Sequence, residues 1–181
     1  NVVEAVNVAR STNDRFPDDV EGMGVLGSCL RASKDFEESL FYLEKALSFD
    51  PNYSEVLINR GLIKLSQEDK TGALSDLETA HKLKPHIKQI WNLLINLKIE
   101  FEQFDDAISL LTPMVKAQPQ NEKSFMQLAI CKQKLGRLDK AIKAYNMALS
   151  LKPDYADAHY NMGITLQEQG KLEEATEAYN K

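Results

Sequence analysis

Residues 122–155 read EKSFMQLAICKQKLGRLDKAIKAYNMALSLKPDY. In the stretch 139–151, Ala141, Ile142, Tyr145, Ala148 and Leu149 fall on one face at i, i+3/i+4 and i+7 spacing, which predicts an amphipathic helix. Gly136 stands just before that helix, where a left-handed backbone is cheap only for glycine. Pro153 closes the stretch, because proline lacks an N–H and restricts its neighbour. No segment shows sustained alternation of apolar and polar residues, so no strand is predicted. The reading is helix, turn, helix, proline.

The same plan extends in both directions at a spacing of 34 residues, seen in Pro17, Pro51, Pro85, Pro119 and Pro153. Only Pro113 falls outside this series. Small residues keep the register at two further places, one holding Ser39, Ala73, Ala107, Ala141 and Ala175. The other holds Gly27, Gly61, Ala129 and Gly163, with the larger Ile95 in the middle of the series. Small side chains are needed where two helices cross closely, and Gly170 repeats the turn glycine of Gly136. Asp18 with Glu21, Asn52 with Glu55, and Asp154 with Asp157 read as helix caps. His86 with Gln89 and Gln120 with Lys123 are weaker starts. Pro113 is expected to kink or shorten its helix, and Gly22, Gly24 and Gly27 to soften theirs.

Composition narrows the function. With 43% hydrophobic and 27% charged residues the chain has a folded, water-compatible balance. The net charge of −5 argues against nucleic-acid binding, which calls for a basic surface. All of that excess lies in residues 1–87, which hold 10 Lys/Arg against 15 Asp/Glu, whereas residues 88–181 hold 12 of each. No apolar stretch approaches the ~18–20 residues of a membrane span, so no membrane insertion is expected. The stretch 1–10 lacks the features of a signal peptide, which favours a cytoplasmic location. Cys29 and Cys131 form neither a metal cluster nor a disulfide framework and read as small buried hydrophobes in a reducing compartment. His81, His86 and His159 show no metal-ligand spacing, and phosphate-binding glycine loops and nucleophile elbows are missing. The sequence therefore predicts no catalysis, no metal and no cofactor.

Several linked positions resemble the tetratricopeptide-repeat (TPR) consensus. The clearest are ADAHYNMGITLQEQGKLEEATEAYNK at 156–181, and Leu128, Ala129, Gly136, Ala141, Tyr145, Ala148 and Pro153 in 122–155. Trp91, Leu94, Ala107 and Pro119 add to them in the middle of the chain. The resemblance implies an all-α, right-handed α–α superhelix of antiparallel helix pairs, forming a single array over 1–181. In that register, 1–17 is the trailing helix of an incomplete repeat. Full repeats follow at 20–53, 54–87, 88–121 and 122–155, with an incomplete one at 156–181. Starting and stopping inside a unit suggests an excerpt of a longer, bacterial-type array, or open ends that meet other copies.

TPR proteins take extended peptides or partner segments in a groove lined by the first helix of each unit. The matching positions here are Ile58, Asn59, Leu62, Asn92, Asn96, Met126, Gln127, Ile130, Tyr160, Asn161 and Ile164. Their amides can both donate to and accept from a peptide backbone, and their apolar members add contact area. In part this resembles the asparagine ladder of TPR-bearing O-linked N-acetylglucosamine transferases. A carboxylate clamp is not expected, because Gly24, Ser28, Asn59, Gln89 and Leu93 stand where cations would be needed. Lys64, Lys98 and Lys132 recur at one position where the family favours tyrosine or leucine. They suggest a basic stripe at roughly 10 Å spacing, judged from helix packing. Two readings of the stripe stay open: stems covering apolar surface, or a rail for an acidic segment. The resemblance implies a protein-interaction scaffold. A substrate-recruiting arm of a glycosyltransferase or sulfotransferase, and self-assembly, stay open beside it.

Overall fold

The computed structural model describes residues 1–181 as eleven α-helices joined by short turns, with no strand. They are α1 (Val2–Arg15), α2 (Val20–Ala32), α3 (Phe36–Phe49), α4 (Ser54–Ser66), α5 (Lys70–Leu83) and α6 (Trp91–Glu100). After these come α7 (Phe104–Ala117), α8 (Glu122–Lys134), α9 (Leu138–Leu151), α10 (Ala156–Glu168) and α11 (Leu172–Tyr179). A 3₁₀ turn, Lys88–Ile90, leads into α6 without a side-chain cap. The helices form two compact units, Asn1–Leu94 and Ile95–Lys181, with the boundary inside α6.

One turn geometry recurs every 34 residues. Lys34, Glu68, Glu102, Gly136 and Gly170 all adopt positive φ, between 57° and 79°. After each, the next N–H reaches back to the carbonyl of the preceding helix's last turn. Arg137 N–H to Lys132 O at 2.9 Å and Asp69 N–H to Lys64 O at 2.9 Å are two of the five. This is the Schellman closure, and it satisfies carbonyls that the helix leaves unpaired. Glycine is the only sign of this turn that composition carries, and Lys34, Glu68 and Glu102 bear no such mark.

The helix starts lie one residue later than read from the prolines. Asp19, not Asp18, caps α2, accepting from Glu21 N–H at 3.3 Å and Gly22 N–H at 3.1 Å. Tyr53 and Tyr155 occupy the cap positions of α4 and α10 and supply no side-chain bond, so Asn52 and Asp154 do not cap. At α8 the cap is Asn121, whose Oδ1 accepts from Ser124 N–H at 3.1 Å. The turn after each proline uses one more residue than a direct proline-to-cap junction. Pro113 does not shorten its helix: α7 has 14 residues, as do α3, α5 and α9. Pro113 and Ser109 are both exposed, so water can take the hydrogen bond that the proline removes.

In the first unit α2 packs on α3, α4 on α5, and α2 on α4. The crossing points are the small-residue positions. A Cβ added to Gly27 would lie 2.6 Å from Leu43 Cδ2, and Ser39 Oγ donates to Gly27 O at 2.6 Å. Leu43 is fully buried there, worth about 1.5–3 kcal/mol by transfer from water. Gly24 is closed in the same way, with Val56 Cγ2 at 3.0 Å from an added Cβ. These glycines thus have a packing role that offsets their helix-propensity cost. Ala9, Leu26 and Leu30, with Val6, Cys29 and Tyr42 around them, join α1 to α2 and α3.

In the second unit α7 packs on α8, α8 on α9, α9 on α10 and α10 on α11. Ala129, Ala141, Tyr145 and Ala148 are fully buried between α8 and α9. Burial drives the Tyr145 phenol well above its ordinary range, and its hydroxyl donates to Gln133 Oε1 at 2.8 Å. Leu166, Ala175 and Ala178 close the far end against Ile142 and Met162. No helix of the chain is long and apolar enough to cross a membrane.

Candidate partner-binding faces

The first helix of each pair carries the predicted groove residues. In the first unit Val25 is 50% exposed on α2, while Ile58, Asn59 and Leu62 on α4 are half-buried and Asn92 is exposed. Asn59 is tied on both sides. Its Nδ2 donates to Glu55 O at 2.9 Å, and its Oδ1 accepts from Arg31 Nε at 2.8 Å. The bond to Arg31 links α4 to α2. Glu55 accepts from Lys84 Nζ at 2.6 Å, and this hydrogen bond holds its carboxyl below the usual range.

In the second unit Gln127 Nε2 donates to Asn96 Oδ1 at 2.7 Å, again linking two first helices. Ile130, Asn161 and Ile164 are half-buried beside them, and Asn161 Nδ2 donates to Asp157 O at 2.7 Å. Tyr160 is 60% exposed, with its ring 5.9 Å from that of Tyr179. Met126, expected at the surface, is only 6% exposed. Gln133, which the repeat pattern does not single out, donates to Glu168 Oε1 at 3.2 Å while accepting from Tyr145. Nothing in its position set it apart from an ordinary solvated glutamine.

The three recurring lysines face the second helix of their own pair, and their surroundings differ. Lys64 Nζ lies 2.9 Å from Asp76 Oδ2. The same carboxylate accepts from Arg60 Nε at 2.9 Å and Nη2 at 2.7 Å, which raises the arginine's affinity for its proton. Lys98 Nζ lies 2.9 Å from Asp106 Oδ2 and 3.1 Å from Gln103 Oε1, with its side chain 9% exposed. Lys132 has no such acid. Burial, followed by the charges of Lys140 and Arg137, lowers its pKa from the ordinary lysine value.

No three His, Cys, Asp or Glu side chains come together in a way that could hold a metal ion. Burial pushes the Cys131 thiol up to about 11, which leaves little thiolate at neutral pH.

Comparison with solved structures places this arrangement among known helical-repeat proteins. YrrB, described as a TPR protein with an unusual peptide-binding site, matches with a TM-score of 0.84 at 21% identity, over 96% of this chain and 90% of that one. MamA (41-end) from Desulfovibrio magneticus RS-1 matches with a TM-score of 0.70 at 21% identity, over 97% and 92%. MamA AMB-1 matches with a TM-score of 0.74 at 21% identity, over 87% and 93%. Comparison with curated protein sequences gives no match. Sequence models described as TPR repeat or tetratricopeptide repeat match residues 20–53, 98–149 and 134–170, together more than half of the chain. With its positive-φ turns and small-residue crossings at the same 34-residue period, the chain belongs to the tetratricopeptide-repeat family and has the all-α TPR solenoid fold.

Proposed function

We propose that this chain is a protein-interaction scaffold that receives an extended partner segment along its first helices. The observation that carries this reading is the mixture of amide and apolar side chains left accessible on those helices. On α8 and α10 it comprises Gln127, Ile130, Tyr160, Asn161 and Ile164, with Tyr160 60% exposed. The bonds Gln127–Asn96 and Arg31–Asn59 hold neighbouring first helices in register, so part of the ordering cost of binding is met in the free protein. Asn92, exposed, and Asn161, whose carboxamide oxygen remains available for a peptide N–H, are the amides best suited to backbone recognition. YrrB, similar in fold, is described as having a peptide-binding site, which supports a peptide or partner segment as the ligand class.

Selection from a random-peptide display library, followed by titration of the selected peptides, tests the reading. Tyr160→Ala combined with Asn161→Ala is expected to weaken binding about tenfold or more, because exposed tyrosines dominate such contacts. Selected peptides that bind this double variant as tightly as the wild type would sink the reading.

A further inference from the structure

The recurring lysine position separates one region of the second unit from its relatives. Lys64 and Lys98 are each neutralised by an aspartate on the following helix, Asp76 and Asp106. At Lys132 both solutions are missing. Lys140 stands at the position of Asp106, and Ala144 at the position of Asp76. The stretch 132–143 holds Lys132, Lys134, Arg137, Lys140 and Lys143 against the single acid Asp139. Asp139 accepts from Gln169 Nε2 at 2.9 Å, and Arg137 pairs with Asp105 at 2.8 Å. Lys132, Lys140 and Lys143 take no part in the ion pairs of the protein.

These three lysines surround an apolar niche of about 190 Å³ between α8 and α9. Its floor is Phe125, Leu128 and Ala144, all at most 8% exposed, and Met147, 46% exposed, stands at its rim. Like charges beside an apolar floor repel more strongly than in open water. The two sister positions avoid this with an acid, and the niche does not. On α8 the niche residues Phe125, Leu128 and Lys132 lie roughly opposite Gln127 and Ile130 at about 100° per residue, so this face is separate from the first-helix groove.

We propose that this niche is a second docking site, which takes an acidic segment of a partner protein. A leucine- or phenylalanine-sized side chain seats over Phe125, Leu128 and Met147, and flanking carboxylates meet Lys132, Lys140 and Lys143. Charge complementarity selects the acidic segment, and the apolar floor separates this site from a mere cation patch. The partner's carboxylates supply what Asp76 and Asp106 supply elsewhere in the chain.

The test is fluorescence anisotropy with a labelled peptide carrying a central phenylalanine flanked by aspartates, and a control peptide with alanine at its centre. The phenylalanine peptide is expected to bind the wild type at least fivefold more tightly than the alanine peptide. Lys140→Glu with Lys143→Glu should weaken it tenfold or more, and Lys140→Gln with Lys143→Gln by a smaller factor. An equal charge change at exposed, unpaired positions, Lys82→Glu with Lys116→Glu, should leave affinity within twofold, as should Tyr160→Ala in the groove. Thermal melts by circular dichroism check that each variant is folded. Unchanged affinity in the Lys140/Lys143 variants, equal affinity for the two peptides, or binding to phosphatidylserine vesicles without binding to the peptide would each overturn the proposal.

Discussion

Segments 54–87 and 122–155 fold into the same helix, left-handed turn and helix, yet they solve the same local problems with different residues. Behind the recurring lysine, the first places Arg60 and Asp76 where the second has Leu128 and Ala144. At the turn, the first has Glu68 at φ 64° and the second Gly136 at φ 66°. At the crossing, the first has Gly61 against Leu77, and the second has Ala129 and Tyr145 at the same positions, both fully buried. One backbone thus tolerates either a buried ionic cluster or an apolar pair at the same place. The cluster brings its own neutralising acid, whereas the apolar pair leaves its lysine without one.

The largest expected effect comes from breaking the ionic solution. Asp76 is 4% exposed and serves both Arg60 and Lys64. Asp76→Ala gives segment 54–87 the residue that segment 122–155 carries, but leaves two cations facing an apolar interior. A loss of about 3 kcal/mol is expected. Restoring Leu128's counterpart as well, by Asp76→Ala with Arg60→Leu, should recover much of it, since replacing a buried pair by apolar residues is far less costly than orphaning one partner. Urea denaturation measures both. If the single variant lost less than about 1 kcal/mol, the cluster would be a passive surface feature.

The turns give the next effect in size. Gly136→Ala places a Cβ in the left-handed region and should cost about 1–2 kcal/mol. Space is not the issue, because an added Cβ would meet nothing within 4 Å. In segment 54–87 the expected sign is reversed: Glu68→Gly relieves a left-handed glutamate and should gain up to about 1 kcal/mol, reduced by the entropy that glycine adds to the unfolded chain. Equal and small changes at both turns, read from denaturation midpoints, would mean that the Schellman bonds alone decide the turn's stability.

The period made the fold legible. Proline and small residues at a fixed spacing report helix ends and helix crossings, and both are demanded by sterics wherever the unit recurs. The prolines place the helix starts one residue too early, because the number of turn residues after a proline leaves no compositional mark. Lys34, Glu68 and Glu102 were invisible as turn residues when taken singly and became legible only in register with Gly136 and Gly170. The candidate groove was legible as a set of positions but not as chemistry. Asn59 and Asn96 look alike in sequence to Asn92, yet two of them spend hydrogen-bonding capacity on Arg31 and Gln127, residues 28 and 31 positions away. The lysine series concealed its differences for the same reason. Asp76 and Asp106 sit at different distances along the chain from their lysines, so the pairing has no period for a sequence reading to detect.

The smallest effect is the sharpest test of the contrast between the two lysines. Lys140→Asp puts an acid at the position that Asp106 holds, within reach of the Lys132 neighbourhood, and should stabilise the protein by about 0.5 kcal/mol near neutral pH. Its pH dependence carries more information. In the wild type, burial and the charges of Lys140 and Arg137 lower the Lys132 pKa below the ordinary lysine value of 10.5. Between the folded value and 10.5 the unfolded chain therefore binds more protons than the native one, and this group makes stability rise with pH across that window. Below the window both states are protonated, and the repulsive cost is present in full. With aspartate at 140 the nearest repulsion becomes an attraction, the folded value moves up, and the alkaline rise should shrink. Urea midpoints at about pH 7.5 and at the upper end of that window, near pH 10.5, compared between wild type and variant, read the difference directly. An identical rise in both would mean that burial and Arg137 perturb Lys132 without Lys140, and that Lys140 does not take the part in segment 122–155 that Asp106 takes beside Lys98.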